Sequence, residues 1–180
     1  MQPSGFDSRQ NYFQLFGLAQ SYRIDIARLE QDYRMLQTRI HPDKFAHLSD
    51  TEQRIAMQHA TWVNEAYQTL HDPLRRARYL LTLHGVDTQE ETNTAMPLDF
   101  LTAQMEWREA VVEAQQGRDI VALEKLEARM RHATREFEAD LAIKLDTEKN
   151  FDAATALVRK LRFMEKLAEE IHSAYDAIES

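Results

Sequence analysis

The sequence contains no cysteine. That absence removes disulfides, thiolate catalysis and any cysteine-ligated zinc or iron–sulfur cluster at once. Glycine and proline are scarce, four of each in 180 residues, against the roughly 12% that average usage gives the pair. With few breakers and many Ala, Leu, Glu, Gln and Arg, the chain is expected to be mostly helical. Strand-type alternation is hard to find. No apolar run reaches the ~20 residues of a membrane span, and no signal-peptide core is present, so a soluble cytoplasmic protein is expected. A net charge of −8 disfavours general nucleic-acid affinity.

The charge is uneven. Residues 1–85 carry 10 basic and 9 acidic side chains, whereas residues 86–180 carry 12 and 21. Two halves of such different balance point to different partners. The seven histidines form no metal site by spacing. His41 and His47 share a loop with no third ligand, and His59, His71, His84, His132 and His172 are scattered along helices. Nothing calls for a metal or a cofactor.

Periodicity divides the chain further. Tyr12, Phe13, Leu15, Phe16 and Leu18 form a short, densely apolar helix. Asp25 reads as an N-cap before the stripe Ile26, Leu29, Tyr33, Leu36, Ile40. That helix ends near Arg39 or Ile40, because His41 precedes Pro42 and is pushed out of the α region. Residues 41–48 read as a loop. Ser49 and Glu52 have capping-box spacing and open a helix with Ile55, His59, Trp62, Ala66 and Leu70 on its stripe. Asp72-Pro73 restarts a helix carrying Ala77, Leu80, Leu81 and Leu83 and stopping at Gly85. Residues 86–97 are polar and aperiodic, the best domain boundary.

Three helices follow, over about 98–116, 119–145 and 150–178, the first two separated by Gly117. The middle one repeats Leu123, Leu126, Met130, Ala133, Phe137. The last repeats Ala154, Leu157, Leu161, Met164, Ala168, Ile171, Tyr175, Ile178. Short loops between long amphipathic helices imply an antiparallel bundle. The expected fold is therefore all-α, with an N-terminal domain over 10–85, a linker over 86–97 and a three-helix bundle over 98–180.

The helix 98–116 carries two stripes. Phe100, Trp107, Val111 and Ala114 make one; Leu101, Met105 and Val112 make another, rotated by about 100°. The second stripe is either part of a wide core face or a partner site. Phe163 lies off the main stripe of the last helix, among Arg159, Lys160 and Lys166, as an exposed aromatic anchor would. From these residues alone, the wide core is the first explanation.

The run Tyr33–Phe45 (YRMLQTRIHPDKF) resembles the J-domain signature, in which an amphipathic helix leads into a His-Pro-Asp loop and a second helix. Tyr12–Leu18 (YFQLFGL), Asp72–Gly85 (DPLRRARYLLTLHG) and Val158–Leu167 (VRKLRFMEKL) narrow this to the HscB-type co-chaperones of iron–sulfur assembly. No Gly/Phe-rich linker follows, unlike in general DnaJ proteins, and the absence of a Cys-containing extension favours a bacterial form. The resemblance implies that His41, Pro42 and Asp43 engage a DnaK-family chaperone of HscA type and stimulate its ATPase, with Arg34, Arg39 and Lys44 steering the approach. It also implies that the bundle holds an iron–sulfur scaffold protein of IscU type through Leu101, Thr102, Met105 and Phe163, with Glu106, Glu109 and Arg162 as polar neighbours. Thr102 departs from the family pattern, which has a larger apolar residue there. Under this resemblance the partner-site reading of the second stripe leads.

Three other readings compete. A general J co-chaperone would bind many unfolded clients. A helical interaction module would carry an incidental His-Pro-Asp turn and affect no ATPase. An enzyme would use His41 and Asp43 as a catalytic pair, but these stand two apart around a proline with no nucleophile motif nearby.

Overall fold

The computed structural model describes residues 10–40, 49–88, 90 and 96–179. Among these there are seven α-helices and no strand, in agreement with the all-α expectation. Two compact units divide between Leu80 and Leu81.

In the first unit, α1 (Tyr12–Leu15) is opened by a reciprocal cap: Gln14 N–H donates to Asn11 Oδ1 and Asn11 N–H to Gln14 Oε1, each at 2.9 Å. Helix α2 (Ile26–Ile40) starts at Asp25, whose Oδ1 accepts from Arg28 N–H at 3.0 Å. Helix α3 (Asp50–His71) starts on the expected capping box, with Ser49 N–H donating to Glu52 Oε2 at 3.0 Å and Glu52 N–H to Ser49 Oγ at 3.4 Å. Each such cap satisfies a backbone donor left free by the first helical turn.

Helices α2 and α3 run antiparallel. Glu30 approaches His71 at 3.5 Å, Tyr33 stacks on Tyr67 at 3.9 Å between ring centroids, and Gln37 Nε2 donates to Asn64 Oδ1 at 2.5 Å. Ile40 and Ser49, which bracket residues 41–48, therefore lie at the end of the pair away from His71. Their fully buried anchors are Leu29, Val63, Ala66 and Leu70. The α3 stripe is corrected here: Val63 is buried, Trp62 is partly exposed and Ile55 is 40% exposed.

Helix α4 (Pro73–Leu83) begins where Asp72 Oδ1 accepts from Arg75 N–H at 2.7 Å. Its Tyr79 fixes α1: the rings of Tyr12 and Tyr79 stack at 4.4 Å, the Tyr79 hydroxyl accepts from Tyr12 N–H at 3.0 Å, and Trp62 meets Tyr12 edge-on. Burial raises both tyrosine pKa values, and the nearby Glu65 charge adds to the rise at Tyr12. Arg76 is buried, with Nη1 donating to Leu70 O at 2.5 Å and its guanidinium 5.0 Å from the Tyr22 ring. It thus caps carbonyls at the end of α3.

The second unit is an up-down-up bundle of α5 (Leu98–Gln116), α6 (Ile120–Ala142) and α7 (Phe151–Glu179). Phe100 meets Phe163, Arg108 meets Glu170, and Arg118 donates to Ile178 O, so α5 and α7 run parallel, with α6 reversed between them. Phe100, Val111, Ala114, Leu123, Leu126, Met130, Met164, Leu167 and Ile171 share one core. Each large side chain fully buried there contributes about 1.5–3 kcal/mol. The turn after α5 places Arg118, not Gly117, in the left-handed region (φ 51°). A π-helical turn, Ile143–Thr147, ends α6.

The segment 81–88 packs against α7. Leu81 is fully buried, His84 stacks on Phe151 at 4.4 Å, and Arg159 Nε donates to Thr88 O at 3.1 Å. A fragment of residues 81–180 should therefore melt at a clearly higher temperature than one of residues 90–180, with both helical by circular dichroism. Equal melting temperatures would show that this segment adds nothing to the bundle.

Candidate functional site

The residues singled out from the sequence fall into two groups. His41, Pro42, Asp43 and Lys44 lie outside the described residues. Arg34 and Arg39 precede them on α2 and are exposed. Arg34 lies 3.8 Å from Glu30, one helical turn back. Contacts of this kind between exposed ions are weak and leave Arg34 able to exchange partners.

The second group centres on the outer face of α5. Phe100, Val111 and Ala114 turn inward and are buried, and Trp107 packs against them. The other stripe is solvent-facing: Leu101 is 38% exposed, Met105 65% and Val112 48%. The wide-core explanation is thereby excluded for this stripe. Leu98, 79% exposed, extends it by one turn. Its place was available from the spacing Leu98, Leu101, Met105, Val112, all within one arc of the helix. Thr102 is exposed, and its hydroxyl donates to Leu98 O at 3.0 Å, which occupies its proton within the helix. Glu106 and Glu109, with Glu113, border the stripe as exposed carboxylates. The result is an apolar ridge about 21 Å long at 1.5 Å per residue, with an acidic margin.

Phe163 departs from expectation. It is 7% exposed, not an exposed anchor. Its ring meets Phe100 edge-on at 5.7 Å and lies near-parallel to Trp107 at 6.1 Å. The basic side chains around it are accounted for differently: Lys160 Nζ lies over Phe100 and Phe137 at 5.1 and 5.3 Å, and Arg108 covers Phe163 itself at 5.4 Å. Leu167, four residues on and fully buried, marks Phe163's side of α7 as core-facing. Arg162 is exposed and pairs with Glu165 at 2.9 Å. Arg108 and its partner Glu170, 3.3 Å away, were not foreseen, since their meeting depends on how α5 and α7 pack.

Among the described residues no group of three His, Asp or Glu side chains is placed to hold a metal ion, and no helix is long and apolar enough to cross a membrane.

Comparison with known proteins accounts for both units. Residues 96–172 match the family model described as the HSCB C-terminal oligomerisation domain. A co-chaperone protein HscB homolog of Chromobacterium violaceum is 53% identical over 174 residues, 97% of each chain. The solved structure of chaperone HscB from Vibrio cholerae superimposes with a TM-score of 0.84 at 39% identity, covering 92% of this chain and 98% of that one. The human co-chaperone protein HscB gives 0.88 at 33% identity, covering 94% and 84%. Identity of this order along nearly the whole length, with the same arrangement of helices, has one meaning: the chain belongs to the HscB family of co-chaperones.

Proposed function

We propose that this chain binds an iron–sulfur scaffold protein of IscU type on the outer face of α5 and delivers it, in the cytoplasm, to a DnaK-family chaperone of HscA type. His41, Pro42 and Asp43 engage that chaperone and stimulate its ATPase, while Arg34, Arg39 and Lys44 steer the encounter. The observation that carries this reading is the exposed ridge Leu98, Leu101, Met105, Val112 beside Glu106 and Glu109, on a helix whose opposite face already fills the bundle core. A contiguous apolar strip with a charged margin is the composition of a docking surface. Family membership and the His-Pro-Asp tripeptide support the chaperone half of the reading.

The co-chaperone performs no covalent step in this scheme. It favours the hydrolysis-competent arrangement of the chaperone, and such a shift requires only tighter contact with that arrangement than with its rival. Holding the scaffold at the same time raises the effective concentration of each partner for the other. Two compact units, divided between Leu80 and Leu81, suit this division of labour, one unit for each partner.

Steady-state ATP hydrolysis by the chaperone tests the reading. The chain alone should raise the rate, and chain plus scaffold should raise it by more than the product of their separate effects. No stimulation by the chain would overturn the co-chaperone scheme. Equal synergy from an arbitrary denatured client would replace the scaffold-specific reading with a general J co-chaperone.

A further inference from the structure

We propose that Arg108, latched by Glu170, is a lid over the Phe163 ring that the scaffold protein displaces in order to reach it. The inference rests on the scaffold-binding reading above.

The ring is held on its inner sides by Phe100 and Trp107 and covered by the Arg108 guanidinium, 5.4 Å from its centroid. Arg108 is itself half exposed, while the ring beneath its guanidinium is 7% exposed. Its Nε lies 3.3 Å from Glu170 Oε1, with the two side chains 50% and 40% exposed. Both contacts are of the weak, solvent-screened kind. They suffice to cover an aromatic ring in the free protein and are easily exchanged for an apolar partner surface.

Position on α5 gives the lid its consequence. Arg108 stands three residues after Met105 and seven after Leu101, on the same side of the helix. Moving its guanidinium away would join the Phe163 ring to the exposed ridge in one continuous apolar surface. The free protein thus hides its largest candidate anchor and presents the ridge Leu98, Leu101, Met105, Val112 for first contact. Arg162, the immediate neighbour of Phe163, is engaged with Glu165 at 2.9 Å.

Calorimetric titration of full-length variants with the cluster-free scaffold protein tests this. Arg108→Ala should tighten binding about tenfold, equivalent to 1.4 kcal/mol, the size of one exposed cation–π contact and one exposed ion pair together. Glu170→Gln should tighten it about threefold by releasing the latch. The two variants change net charge in opposite directions, so a general charge effect would move them apart, and opposite responses would overturn the lid. Weaker binding by Arg108→Ala would make Arg108 a direct contact and overturn it too, as would no change in either variant. The double variant Leu101→Ala/Met105→Ala separates the two levels of inference. If it loses affinity while the lid variants behave contrary to expectation, only the lid fails; if it binds normally, the scaffold docks elsewhere and both readings fail.

Discussion

His41→Gln should abolish stimulation of the chaperone's ATPase and leave scaffold affinity at its wild-type value. Asp43→Asn should do the same. Under the proposed scheme the tripeptide acts by contacts that differ between two arrangements of the chaperone. A ligand without such a difference shifts nothing, however tightly it binds. Glutamine keeps polarity and approximate size but not the imidazole, and asparagine removes the negative charge of Asp43. A proline restricts its own φ and the residue before it whatever side chain stands there, so neither change should loosen the backbone greatly. The residues proposed to hold the scaffold belong to the other compact unit of the chain, which is why scaffold affinity should not move. Stimulation near the wild-type level by either variant would remove the tripeptide from the mechanism. Loss of both stimulation and scaffold binding would show that the units do not act separately.

The second large effect is expected on α5. Leu101→Ala/Met105→Ala should lower scaffold affinity steeply, by up to about 30-fold for each side chain that proves a hot spot, though not additively. Its thermal stability should hardly change, because truncating exposed side chains typically alters stability by about 0.5 kcal/mol or less, and both are solvent-facing. Phe163→Ala should behave differently. Its ring is packed with Phe100 and Trp107 in the bundle core, and removing a buried phenylalanine typically costs about 3–5 kcal/mol. A loss of binding by that variant therefore cannot be assigned to a missing contact. Melting curves and scaffold titrations on the two variants make the separation. A large fall in melting temperature for Leu101→Ala/Met105→Ala would mean that these residues support the fold; unchanged stability with unchanged affinity would move the scaffold to another face.

The features that were legible in the sequence are local ones. Asp25, Ser49 with Glu52, and Asp72 before Pro73 all cap the helices they were expected to open. A cap joins groups two to three residues apart, so its geometry is written in the spacing. The cap on α1 is equally local, its Asn11 and Gln14 standing three residues apart. Burial on long helices was less legible. The buried face of α3 passes through Val63, not Trp62, because Trp62 faces Tyr12, a neighbour distant in sequence. Phe163 is likewise surrounded by Phe100, Trp107 and Arg108 from another helix, although Leu167 four residues on already marks its side of α7 as inward. The two stripes of α5 were visible from periodicity, but the choice between core and surface for the second required the positions of α6 and α7. At the α5–α6 turn, Gly117 separates the two apolar patterns, but the left-handed position falls one residue later on Arg118.

Each compact unit carries one of the two tryptophans in the sequence. Trp62 rests edge-on against Tyr12, and Trp107 lies beside Phe163. The protein is therefore its own two-channel fluorimeter. With Trp107→Phe the remaining emission reports on α1 and α3; with Trp62→Phe it reports on the aromatic cluster beneath Arg108. Opening of either unit, or departure of the guanidinium from Phe163, can be timed in stopped flow without attaching a dye.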